Sequence, residues 1–289
     1  RPRTEDRASQ RSGARFPHQG ASQSSISWVA KNGCVEKKMK SKQLIVFFVS
    51  LTIYALCAFL TYAFFADQLA ASLGVPMPDM GVSNIVLGLA NAGIVLVLYG
   101  ILGLAGYWFA IKLELPGIYR EDGNWRIWLL IPFVLGAICG LALIIGDLVF
   151  APINDFGNFP HPPFPVSILA SISAGIGEEI LFRGFVFGLW ALILRWILRR
   201  FDGDKPALWI ANIIAALAFG AGHLGSAIFL TGATTIADIH PVLLVEIFLL
   251  NGIVGLVAGS QYVKTGLVAA IGVHFWTDVF WHVLWGLFS

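Results

Sequence analysis

The chain has 289 residues, 57% hydrophobic and 12% charged, with a formal net charge of +2 and a mean hydropathy of +0.77. Soluble domains carry about 25% charged residues, and apolar runs near or above membrane-spanning length recur here, so an ordinary soluble domain is excluded and an all-α polytopic membrane protein is indicated. The small net charge identifies no partner beyond the lipid bilayer, since position outweighs sum in a membrane protein, and no nucleic acid is expected.

Residues 1–40 are polar, rich in Arg, Ser, Gln and Gly, and lack apolar periodicity, which reads as a disordered basic arm. Met39-Lys-Ser-Lys-Gln runs directly into an apolar stretch and resembles a natural start, so the arm reads as an extension, a mis-set start or non-native sequence, with an organelle transit peptide as the weaker alternative. Residues 41–289 form one transmembrane domain with no separate soluble core. Its spans are predicted at about 44–65, 85–111, 128–150, 165–198, 206–229, 241–263 and 267–288. The fourth, as one helix, is roughly 50 Å long, longer than a hydrocarbon core of about 30 Å. It must tilt, break near Gly175 or Gly177, or project past the membrane at Arg195, Arg199 and Arg200.

Basic residues alternate between the connections. They occur before the first span (Lys37, Lys38, Lys40, Lys42), at 112–127 (Lys112, Arg120, Arg126), at 195–205 (Arg195, Arg199, Arg200, Lys205) and at Lys264. The connections 66–84, 151–164 and 230–240 have no Lys or Arg. The alternation predicts an N-terminus on the cytoplasmic side and a C-terminus outside. Cys34, Cys57 and Cys139 show no metal or redox spacing and read as buried or incidental.

Ionisable residues inside spans are costly and are kept where they pair, line a wet cavity or do chemistry. Glu178 and Glu179 lie about 100° apart around a helix, and Glu179 shares a face with Arg183 in the favourable i,i+4 order. That spacing pairs Glu179 with Arg183 and leaves Glu178 free as a candidate base; a structural charge cluster is the alternative. His223 follows Phe219 by one turn, among Gly220, Gly222 and Gly225; alone it fits a helix-to-helix hydrogen bond as well as catalysis. His274 and Asp278 share a face in the last span, where the Asp can fix the histidine tautomer or complete a metal set with His223 and Glu178. His282, beside Trp281 and Trp285, is assigned an interfacial role. Glu246 needs a partner that the sequence does not name; Asn91, Asp147 and Asn251 stand alone or near span ends, and His18, His161 and His240 lie outside the spans.

Glu178-Glu179-x-x-x-Arg183, Phe219-x-x-x-His223 and His274-x-x-x-Asp278, in this order on three apolar spans, resemble the CPBP family. That family comprises the CAAX prenyl proteases of the Ras-converting type and the prokaryotic Abi proteins linked to bacteriocin processing and self-immunity. The resemblance covers about 166–283 and extends to the first three spans only in character. It implies an intramembrane endopeptidase with a polar catalytic cavity among the C-terminal four helices, acting on peptide or lipidated protein substrates such as CaaX tails or leader peptides. By position, Glu178 is the catalytic glutamate, His223 polarises water with it, and His274 with Asp278 supports the oxyanion; Glu179 and Arg183 shape or hold the site. Eukaryotic members carry Asn where Asp278 stands, and an ionised Asp cannot donate to an oxyanion. Asp278 is therefore expected to orient a protonated His274 that donates instead. No cofactor is assigned. HExxH is absent, and a divalent metal such as zinc on Glu178, His223 and His274 is the second choice.

Two other classes are open: a non-catalytic immunity or scaffold protein of the same fold, and a transporter using buried Glu and His as a proton relay, although no internal repeat supports the latter. One tension concerns depth. Counted from the cytoplasmic span ends, His274 lies about 10 Å deep and Glu178 and His223 about 25 Å deep, so one shared site requires a helix to start lower, tilt or break.

Overall fold

A computed structural model describes residues 22–72, 81–200 and 203–288, with side chains from residue 41 onward. Of the arm 1–40 expected to be disordered, residues 1–21 lie outside the described residues, and residues from Ser22 onward fall in a helix, Ser22–Phe64. Two compact units are distinguished, Arg1–Ser41 and Lys42–Ser289, and the second carries the cavity and the site. The structure is all-helical, without a strand among the described residues.

The elements in order are α1 (Ser22–Phe64), the short α2 (Ala66–Ser72), α3 (Asn84–Lys112), α4 (Arg126–Phe150), α5 (Val166–Leu198), α6 (Asp204–Gly222), α7 (Leu224–Thr231), α8 (Pro241–Thr265) and α9 (Leu267–Leu287). Seven helical stretches are long and apolar enough to cross a membrane: Ser41–Phe64, α3, α4, α5, Asp204–Thr231, α8 and α9. Local chemistry sets their ends. Ser83 caps α3 by accepting from the Val86 N–H. Pro241 opens α8, where its missing N–H costs nothing. Gly266, at φ 101°, makes the turn from α8 to α9 that an L side chain would resist.

The helices bury unequal shares of themselves. Only 22%, 17% and 22% of the first three spans is buried, against 44% for α8 and 50% for α9, so α8 and α9 are central and the first three face the surroundings. Exposed Val97, Ile101, Ile145 and Trp196 are what lipid-facing positions require. α9 packs against α4, α5 and α8, and α8 against α6, around a core including Phe47, Leu51, Ile180, Phe187, Tyr262 and Val273.

α5 does not break at Gly175 or Gly177. It is continuous and widens into π-type turns over Ile180–Phe187, directly after Glu179. The glycines serve close approach instead: a Cβ on Gly175 would meet the Phe275 backbone of α9 at 3.2 Å, and one on Gly177 the Tyr54 ring of α1 at 2.7 Å. α9 widens in the same way over Val279–Leu284, directly after Asp278. The fifth span does break, at His223, which links α6 to α7. π-type turns are rare and recur at functional sites; here two of them follow the acidic ends of motifs, although Val95–Tyr99 and Arg126–Leu130 adopt them as well.

Candidate active site

A cavity of about 550 Å³ opens among α4 to α9, and Glu178, His223, His274 and Asp278 all line it. The helical breaks and widenings place these side chains. Glu178 and Glu179 end the regular part of α5, Asp278 ends that of α9, and His223 sits at the α6–α7 corner. Phe219, the first residue of the second motif, lines the cavity as well.

A buried charge network backs this wall. Glu179 and Arg183 are fully buried, with Arg183 Nη1 3.1 Å from Glu179 Oε1. The same oxygen accepts a 2.8 Å hydrogen bond from His274 Nδ1. The Arg183 guanidinium lies over the Phe219 ring at 4.7 Å. Phe219 in turn meets the rings of His223 at 5.0 Å and His274 at 5.3 Å, both edge-on. Glu179, Arg183 and Phe219 therefore form one scaffold that fixes both imidazoles.

The reactive edge is differently placed. The Glu178 side chain is 33% exposed, and its Oε2 has no hydrogen-bond partner. It stands 4.0 Å from His274 Nε2, while Asp278 Oδ2 stands 3.7 Å from that nitrogen; both are beyond hydrogen-bond length. His223 Nδ1 donates to the Phe219 carbonyl at 2.9 Å, which leaves Nε2 as the acceptor nitrogen. A carboxylate with an oxygen free of hydrogen bonds, a histidine with a basic nitrogen and a second histidine fixed by a carboxylate thus share one cavity wall, a set suited to moving protons on a bound water.

Residues 160–280 match the family model described as Rce1-like, type II CAAX prenyl endopeptidase Rce1-like. This segment is similar to an Rce1-like domain. It contains all three motifs, and the match supports assignment to the CPBP and CAAX proteases. No curated protein and no solved structure matches the chain.

Within the matched segment, Asp278 stands beside His274 Nε2 at ion-pair distance, 3.7 Å, and a second carboxylate adds to it: the contact at hydrogen-bond length comes from Glu179 across the helix interface. The close approach of α5 to α9 at Gly175 and Phe275 brings that carboxylate within reach, whereas the i,i+4 step leaves Asp278 beside the other nitrogen. Glu179 and His274 touch at 2.8 Å although a count from the span ends separates them by about 15 Å, which requires these helices to tilt or to start at different levels. His282, assigned to the interface, lines the cavity, and its Nδ1 meets His161 Nδ1 at 3.0 Å.

Sequence spacing did not single out Glu246 as a cavity residue or identify its partner. Glu246 lines the cavity and accepts a 2.7 Å hydrogen bond from Asn154 Nδ2. Asn154 also turns its own loop, accepting from the Phe156 and Gly157 N–H groups. The Asn-Asp-Phe-Gly stretch is the one signal that marked this turn.

The residues do not fit a metal as placed. Among the described residues no group of three His, Cys, Asp or Glu side chains is arranged to hold an ion.

Proposed function

We propose that this protein is an intramembrane endopeptidase that hydrolyses peptide or lipidated substrates with water activated by Glu178. The observation that carries the reading is the division of the glutamate pair: Glu179 is committed to Arg183 and His274, while Glu178 faces the cavity with an oxygen that has no hydrogen-bond partner.

The steps follow from the side chains. Glu178 takes a proton from a water held between it and His223 Nε2, and the resulting hydroxide attacks the scissile carbonyl carbon. The carbonyl oxygen becomes an oxyanion and accepts from His274 Nε2–H, His274 being protonated on both nitrogens and held by Glu179. The proton taken by Glu178 passes to the leaving nitrogen, directly or through His223, the C–N bond breaks, and a carboxylic acid and an amine leave. Arg183 and a protonated His274 balance two of the three carboxylates around them. The remaining negative charge is the base.

The alternation of basic connections puts the N-terminus in the cytoplasm and the C-terminus outside. The substrate class follows the Rce1-like domain: a membrane-associated peptide of the CaaX type, presented from the bilayer. The test is cleavage by the purified full chain of a prenylated CaaX peptide and its unprenylated form. Faster cutting of the prenylated peptide is expected; no cutting of either, with folded protein, overturns the reading.

A further inference from the structure

The cavity has a second acidic end that the proposed chemistry leaves unused. Glu246 of α8 is fully buried and lines the cavity; Asn154 satisfies its Oε2, while its Oε1 is buried without a partner. Asp147 of α4 is also fully buried and is held by the Asn158 side chain and the Phe159 N–H. Among the described residues no Lys or Arg forms an ion pair with either acid.

The histidines nearby do not supply the missing charge. His161 Nδ1 and His282 Nδ1 stand 3.0 Å apart, so one of them is the unprotonated acceptor of the other. Burial also pushes His161 below its ordinary range, against the opposing pull of Asp147. Arg183, buried behind the cavity wall, is committed to Glu179. A buried carboxylate with an open oxygen in an apolar cavity is stabilised by a donor or cation brought in from outside.

We propose that Glu246 is a specificity subsite for a cationic side chain, lysine or arginine, of the peptide segment bound in the cavity. The assignment rests on the reading of this cavity as a peptide site. Val254, two helical turns beyond Glu246 on α8, packs with Phe219 beside the catalytic histidines. Eight helical residues span about 12 Å, which extended peptide covers in roughly four residues. The cationic residue therefore lies within about four residues of the scissile bond. A site built around an open charged acceptor discriminates strongly against an isostere that lacks the donor.

The test separates binding from turnover. The full chain carrying Glu178→Gln, which leaves peptides uncut, is titrated by fluorescence anisotropy with farnesylated CaaX peptides bearing lysine or norleucine at successive positions. At one position lysine is expected to bind about tenfold more tightly than norleucine. Adding Glu246→Gln abolishes that ratio, whereas Glu246→Asp, which keeps the charge, retains part of it. No position favouring lysine, or a lysine preference that survives Glu246→Gln, overturns the subsite. Failure of the wild-type chain to cut these peptides, with the lysine preference intact, sinks the endopeptidase reading and leaves the subsite standing.

Discussion

Glu178 and Glu179 are neighbours in sequence with opposite consequences when altered. Glu178→Gln removes a partly exposed base; turnover is expected to fall by about 10²–10⁴-fold, with the thermal unfolding midpoint unchanged. Glu179→Gln strands the fully buried Arg183 guanidinium and is expected to cost about 3–5 kcal/mol of stability. A double Glu179→Met and Arg183→Met variant should recover most of that stability in an unfolding titration while remaining inactive, because His274 loses its anchor. The division within the pair was legible in the sequence, because i,i+4 spacing on one helix dictates it. The bond from Glu179 to His274, 95 residues away, was not, and neither was that from Asn154 to Glu246, 92 residues away. Contacts between helices depend on crossing geometry, which spacing within a helix does not encode.

At the scale of elements, span positions were readable to within a few residues, because about 20 apolar residues are what a bilayer demands. The local departures were read less well. Gly175 and Gly177 suggested a break that α5 does not make, because the missing side chains admit α9 and Tyr54 instead, whereas the break in the fifth span falls at His223. The π-type turns after Glu179 and Asp278 leave no compositional trace. The Gly177 contact makes a sharp prediction. Gly177→Ala presses on the Tyr54 ring and should lower stability by about 1–3 kcal/mol. Tyr54→Ala removes that clash, so a double-mutant cycle should show the pair less destabilised than the sum of its members. Strict additivity would place the two residues out of contact.

For the whole molecule, the distribution of burial divides labour: the first three spans are the least buried, and the C-terminal four, with Leu143 of α4 and the 159–162 connection, line the cavity. The proposed topology is checked by tagging. A tag after residue 289 should be reached from the side opposite to a tag in the 113–125 loop; labelling from the same side contradicts the inside–outside alternation. Because no trio of ligands is arranged for an ion among the described residues, turnover should be unaffected by exhaustive chelation, and loss of turnover that zinc restores would place a metal in the mechanism. The central claim, hydrolysis by Glu178-activated water, is tested most directly by mass spectrometry of a farnesylated CaaX peptide incubated with purified wild-type and Glu178→Gln chains. The wild type is expected to generate two fragments, one gaining the elements of water, and Glu178→Gln to do so at least about a hundredfold more slowly. Cleavage by Glu178→Gln at the wild-type rate would contradict the account.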